Sequence, residues 1–276
     1  MQETDSTRAA TAQSFSDAFV LPGRILYALA FVSLGVETIV CSHMAGFPLG
    51  PGYSAISVIP WVPAIPVVAC LFGVLWIACA LGTLVARWRR LSALVLGSVL
   101  ALCTFIIIVP RYAVTLGDMG MRTVVFEPLT LACIAFLLPG TAPLPAWVTR
   151  ACRYLICLGL VVFGVDHFLG LTFIASLLPG WIPFHAFWVV FFGVALIAGG
   201  LSIASGFFAS CGAAGTGLIF GIWVITLHLP RVLGFYGIPG APKSPDEWSS
   251  MLIALGLWGG FWALAGNSHK RPTQGV

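Results

Sequence analysis

Charged side chains are scarce in this sequence. Only 8% of its 276 residues are charged and 59% are hydrophobic, whereas roughly a quarter of the residues are charged in an ordinary soluble domain. The sequence also has no glycine-rich nucleotide loop, no serine nucleophile elbow and no zinc-protease helix. Its small net charge of +4 provides no basic surface for nucleic acid. These absences indicate a membrane protein with lipid neighbours and no nucleic-acid partner.

Motifs for metal and thiol chemistry are missing as well. The eight cysteines include no CxxC pair, and most lie inside apolar runs, where a thiol packs as a small apolar group. No two histidines have the HxxxH spacing that holds a metal ion on one helix. We therefore predict no metal and no bound cofactor, and we leave a quinone open as a ligand.

Long apolar runs dominate what is present. Eight of them come close to the ~20 residues that cross a bilayer as a helix, and short segments with turn residues separate them. The runs are 22–41, 64–85, 91–109, 123–138, 151–171, 184–205, 209–229 and 248–265. Because an isolated segment in lipid must satisfy its own backbone hydrogen bonds, the sequence predicts an all-α polytopic membrane protein with eight transmembrane helices.

Basic residues are unevenly divided between the two sides of this topology. The richer side holds Arg8, Arg24, Arg87, Arg89, Arg90, Arg150, Arg153, Lys270 and Arg271, and the other side holds Arg111, Arg122, Arg231 and Lys243. Loops rich in lysine and arginine stay in the cytoplasm. We therefore expect a multi-pass protein of the inner (plasma) membrane with both termini in the cytoplasm.

The second half of the sequence repeats features of the first at a constant offset of 120 residues. Three matches share this offset: Trp61 and Pro63 with Trp181 and Pro183, Pro110-Arg111 with Pro230-Arg231, and Glu127 with Glu247. Each half has four runs, an even number, so both halves enter the membrane from the same side. We predict two parallel four-helix repeats, half one at 21–148 and half two at 149–266, with disordered cytoplasmic tails at 1–20 and 267–276.

Charged residues recur in both halves near the outer ends of the helices. Glu37 and Asp166 match at an offset of 129, each 13 residues beyond the arginine that begins its helix, which is ~20 Å along an α-helix. We expect Glu37 or Glu127 to pair with Arg111, and Asp166 or Glu247 to pair with Arg231. A charge within the bilayer is costly unless it is paired or hydrated. Two interpretations stay open: structural ion pairs, or charges at the mouth of a ligand or proton pocket.

Three histidines occur only in half two. His167, His185 and His228 correspond to Thr38, Ile65 and Ile108 of half one. They can be read as a metal or haem site, as a proton-coupled or quinone pocket in which a histidine and a carboxylate exchange a proton, or as hydrated interfacial residues without a special role. The candidates for ligand binding or proton exchange are Asp166, His167, His185, His228, Arg231 and Glu247; those for structural ion pairs are Glu37, Arg111 and Glu127. No catalytic residue is identified.

These features together resemble the DoxX-like membrane proteins. The features are an acid in the outer part of helix 1, Trp-x-Pro before a glycine-rich helix 2, and Pro-Arg at the end of helix 3. The stretch 227–231, Leu-His-Leu-Pro-Arg, followed by Asp246, Glu247 and Trp248, is similar to the C-terminal half of that family. The resemblance covers nearly the whole chain, once per half, so the chain resembles a fused pair of four-helix units.

The resemblance implies an accessory membrane component of a quinone- or thiol-linked redox system, without catalytic activity of its own. A redox enzyme subunit or a quinone would be its partner, in addition to membrane lipids. Two other functions remain: a small-molecule or lipid carrier with a cleft between the repeats, and a purely structural membrane partner.

Overall fold

The computed structural model describes residues 2–44, 66–113, 117–141, 144–235 and 245–266, and all regular structure within them is helical. In chain order the elements are α1 Gln2–Met44, α2 Pro66–Leu84, α3 Arg89–Cys103, a first π-helical segment Thr104–Ile108, α4 Val109–Tyr112, α5 Met119–Leu137, α6 Ala146–Leu169, α7 Leu171–Leu177, α8 His185–Ser205, α9 Ala209–Trp223, a second π-helical segment Val224–His228, α10 Leu229–Val232 and α11 Pro245–Ala265.

Eight spans in these residues are long and apolar enough to cross a membrane. They are span 1 Ala18–Cys41, span 2 Pro66–Leu84, span 3 Arg89–Ile108, span 4 Met119–Leu137, span 5 Ala146–Leu169, span 6 His185–Ser205, span 7 Ala209–Val232 and span 8 Glu247–Ala265. The all-α, eight-span fold predicted from the sequence is confirmed. Span 4 begins before its predicted start because the Asp118 side chain accepts a hydrogen bond from the Met121 backbone N–H at 3.1 Å, which caps an extra turn.

The N-terminal segment differs from the prediction. Residues 1–20 were expected to form a disordered tail, but α1 begins at Gln2 and continues without a break into span 1. Ala9, Ala10 and Ala12 are strong helix formers, and a helix already formed in span 1 can be extended at little cost because nucleation is the expensive step. The predicted tail at 267–276 lies outside the described residues.

The spans pack in a ring that follows chain order. Each span contacts the next one, span 8 contacts span 1, and spans 4 and 8 also meet each other. The contact between spans 1 and 8 is the most extensive, because a Cβ added at Gly259 would lie 2.3 Å from the Tyr27 backbone nitrogen. Tyr27 is wholly buried and donates a hydrogen bond to the Leu131 carbonyl at 2.9 Å, which ties span 1 to span 4. The last span of half two thus packs on the first span of half one.

Several local features recur at the predicted offset. A Cβ added at Gly73 would lie 2.6 Å from the Gly35 carbonyl oxygen, and one added at Gly164 would lie 2.6 Å from that of Gly193. Spans 2 and 6 bury matching positions: Gly73, Trp76, Cys79 and Ala80 in one, and Gly193, Leu196, Gly199 and Gly200 in the other. The π-helical segments also match, each one residue before a Pro-Arg pair. The parallel arrangement of two repeats stays a prediction, which these correspondences favour.

Candidate functional site

Most of the candidate residues lie at the end of the bundle where spans 1, 3, 5 and 7 finish and the even-numbered spans begin. We call it the ion-pair end, because both salt bridges of the described residues lie there: Arg122 with Asp166, and Arg231 with Glu247. The opposite end, where span 2 finishes and span 3 begins with several arginines, is called the basic end.

Arg231 and Glu247 form a two-pronged ion pair between spans 7 and 8. The Arg231 Nε atom lies 2.9 Å from Glu247 Oε2, and its Nη2 atom bonds the other carboxylate oxygen. Pro230 has no N–H to donate to the preceding turn, and the backbone before it adopts the wider π-helical form. Arg231 therefore enters the final turn of span 7 and reaches the first turn of span 8. Of the two partners predicted for Arg231, Glu247 is confirmed.

Asp166 pairs with a residue that the sequence interpretation did not single out. Its carboxylate accepts hydrogen bonds from Nε of Arg122, at 2.8 Å, and from Nη2 of the same side chain. The predicted alternative, a pair with Arg231, is wrong, because Arg122 in the first turn of span 4 lies beside the end of span 5. Arg122 was counted only as a loop charge; the Asp118 cap, which places it within the helix, was the available signal. This ion pair joins the two halves.

Glu37 also makes a contact across the halves. Ser249 Oγ donates a hydrogen bond to Glu37 Oε1 at 2.9 Å, from span 8 to span 1. Glu127 is half-buried in span 4. The side chain of Arg111 lies outside the described residues, so its predicted pairing with Glu37 or Glu127 stays a prediction.

His167 is buried between spans 5, 6 and 7. Its Nδ1–H donates to the Phe163 carbonyl at 2.7 Å, and its ring stacks on Trp223 with centroids 5.3 Å apart and planes inclined by 14°. A Cβ added at Gly193 would lie 3.0 Å from the His167 Cβ, so the glycine leaves the space that the imidazole needs. Together the two rings form a flat aromatic surface inside half two, which we call the His167–Trp223 stack.

His228 ends the second π-helical segment, five residues after Trp223 on the same span. Its Nδ1 atom is buried and makes no hydrogen bond within the part of the chain that the structure describes. The ring is close enough to Arg231 and Glu247 to feel both charges. A neutral imidazole nitrogen can donate or accept one hydrogen bond, so His228 offers a free polar atom beside an ion pair.

His185 is positioned differently from the other two histidines. Its Nε2 atom bonds the Pro179 carbonyl at 3.1 Å, which joins the first residue of span 6 to the loop before it. This contact is local and explains the residue without a ligand. Among the described residues no three histidine, cysteine or acidic side chains come together as metal ligands.

Comparison with known proteins gives no relative. No family model matches the chain, and neither a curated protein nor a solved structure matches it. The DoxX-like resemblance therefore stays a prediction from the motifs alone.

Proposed function

We propose that this protein is a membrane component that binds a quinone-sized amphipathic ligand at the ion-pair end of half two. The main support is the buried Nδ1 atom of His228, which has no hydrogen-bond partner in the described residues and lies near Arg231 and Glu247. Leaving a buried polar atom without a partner costs about 1–3 kcal/mol, and folded proteins rarely accept that cost. A ligand oxygen at this nitrogen would remove it.

The surroundings of His228 suit a flat ligand with polar atoms at its edge. The His167–Trp223 stack lies one to two helical turns further into the bundle on span 7 and offers an aromatic surface to a ring. A quinone has a flat ring and carbonyl oxygens that accept hydrogen bonds. We place its carbonyl at His228, while the Arg231–Glu247 pair fixes the backbone from which the histidine projects.

The proposed role is accessory, in a redox system of the inner membrane, with a redox enzyme subunit as partner. This part of the proposal depends on the DoxX-like resemblance and on the arginine distribution that places both termini in the cytoplasm. No residue is assigned a catalytic step. The carrier alternative has less support, since Gly23 and Gly259 pack backbone against backbone where a cleft between the halves would open.

Photoaffinity labelling tests the ligand site. The protein, in lipid nanodiscs, is irradiated with an azido-quinone, and labelled peptides are identified by mass spectrometry. We expect labelling near Trp223 and His228. His228→Ile installs the residue that half one has at the matching position, Ile108, and should reduce labelling about fivefold to tenfold, the effect of one lost hydrogen bond.

His185→Gln is the matched control, because that histidine already has a backbone partner. It should label as strongly as the unmodified protein. Equal labelling of the His228→Ile protein, or label spread evenly over lipid-facing helices, would contradict the proposed site.

A further inference from the structure

The basic end of half one holds a group of arginines that half two lacks. Arg87, Arg89 and Arg90 connect span 2 to span 3, and Arg24 lies in the first third of span 1. At the offset of 120, the half-two residues matching the three connecting arginines are Phe207, Ala209 and Ser210. A topological signal alone does not require these arginines to approach one another, so their packing needs a separate explanation.

Two of these arginines lie together within the helix ends. Arg24 is half-buried, its Nε atom is buried without a hydrogen bond in the described residues, and its charge is close enough to Arg89 for mutual repulsion. Arg89 is held in place because its Nε donates to the Thr83 carbonyl at 2.9 Å and its Nη2 to the Leu84 carbonyl at 3.4 Å. Neither guanidinium can withdraw from the other without losing these positions.

No carboxylate compensates this pair within the described side chains. The sequence has nine acidic residues. Six belong to the ion-pair end or its loops, at 37, 118, 127, 166, 246 and 247, and the other three, at 3, 5 and 17, precede span 1. Like charges at a partly desolvated site repel strongly, and an anion between them removes the repulsion.

We propose that Arg24 and Arg89 bind the phosphodiester headgroup of an anionic phospholipid. Planar guanidinium groups bind phosphate oxygens through two parallel hydrogen bonds, and basic pockets between membrane helices hold such headgroups. This site is separate from the quinone site of half two and does not depend on it.

The surface beside the two arginines fits a lipid better than a free phosphate ion. Trp88 is 50% exposed and lies under the Arg87 guanidinium at 5.5 Å, an arrangement typical of headgroup depth. Leu84, Val85 and Leu91 are exposed around it and offer an apolar surface to an acyl chain. The site thus joins a phosphate-binding part to a chain-binding part.

Native mass spectrometry with matched lipids tests this proposal. The detergent-purified protein is mixed with dioleoylphosphatidylglycerol or with dioleoylphosphatidylcholine, which has the same acyl chains. We expect selective retention of the anionic lipid, reduced about fivefold in Arg24→Gln, the effect of the ~1 kcal/mol that one basic residue contributes at an anionic membrane surface.

Arg153→Gln is the matched control, since Arg153 is the half-two counterpart of Arg24 and its guanidinium lies near Gly206 instead of a second arginine. It should retain the lipid as the unmodified protein does. Equal retention of both lipids, or an equal loss in the two variants, would overturn the proposal.

Two measurements on the unmodified protein keep the test decisive if Arg24→Gln does not fold. Raising the salt concentration should release the anionic lipid and leave phosphatidylcholine retention unchanged, because screening weakens only the charged contact; salt-independent retention would refute the site. Inorganic phosphate should leave the melting temperature unchanged, whereas phosphatidylglycerol should raise it. If phosphate alone raises it as much, the site binds a free anion and the lipid assignment is wrong.

Discussion

Half one and half two share their helix contacts but concentrate polar side chains at opposite ends of the bundle. Gly35 with Gly73 and Gly164 with Gly193 bring the first two helices of each half together in the same way. Half one then adds arginines at the basic end, and half two adds histidines at the ion-pair end. The shared positions therefore build the scaffold, and the positions that differ are where ligand sites are proposed.

The ion-pair end of half two is not built from half two alone. Asp166 is paired with Arg122 of half one, whereas Arg231 and Glu247 both belong to half two. Span 8 of half two in turn packs on span 1 of half one through Gly23 and Gly259. The comparison thus concerns two halves of a single packed body, and each half contributes to the site of the other.

The largest expected effect breaks the contact between the halves. In Gly259→Ala the new Cβ would lie 2.3 Å from the Tyr27 backbone nitrogen, so spans 1 and 8 must separate, at a cost of about 3 kcal/mol. We expect a clearly lowered thermal unfolding midpoint in detergent. Gly215→Ala is the control, because nothing lies within 4 Å of its new Cβ, and it should be neutral or slightly stabilising. Equal midpoints in the two variants would show that the halves do not depend on this contact.

A smaller effect compares the two ion pairs. Asp166→Asn leaves Arg122 without its counter-charge at a site where the acid side chain is only 5% exposed, whereas the Glu247 side chain is 20% exposed. We expect about 2–3 kcal/mol of destabilisation for Asp166→Asn and about 1 kcal/mol for Glu247→Gln, since partial hydration screens that pair. Unfolding midpoints of both variants, with Arg122→Gln and Arg231→Gln to complete double-mutant cycles, measure the difference. The opposite order would contradict the cross-half role of Asp166.

The smallest effect exchanges the residues that distinguish the halves. His228→Ile removes a buried nitrogen without a partner and should be neutral or stabilise the protein by about 1 kcal/mol, although it weakens quinone labelling. Ile108 is fully buried in half one, so Ile108→His should destabilise by about 1–2 kcal/mol. Unfolding midpoints measured without added quinone check both. Marked destabilisation by His228→Ile would indicate that this histidine has a structural partner, and the ligand proposal would lose its main support.

The candidate site was only partly predictable from the sequence. The Arg231–Glu247 pair was accessible because Pro-Arg ends one helix shortly before the acid begins the next, 16 residues later. Asp166 and Arg122 are 44 residues apart, and Glu37 and Ser249 are 212 residues apart, so no local pattern relates them. The free nitrogen of His228 and the His167–Trp223 stack likewise depend on how spans 5, 6 and 7 pack.

The sequence by itself determined eight spans and their approximate ends, because apolar length and turn residues decide locally which segments cross a bilayer. It also determined which positions distinguish the halves, since the offset can be read without coordinates. Only the tertiary structure decided that span 8 packs on span 1 and that Asp166 pairs across the halves. In lipid every span is similarly apolar, so neighbours are selected by close glycine contacts and specific polar pairs rather than by hydrophobicity.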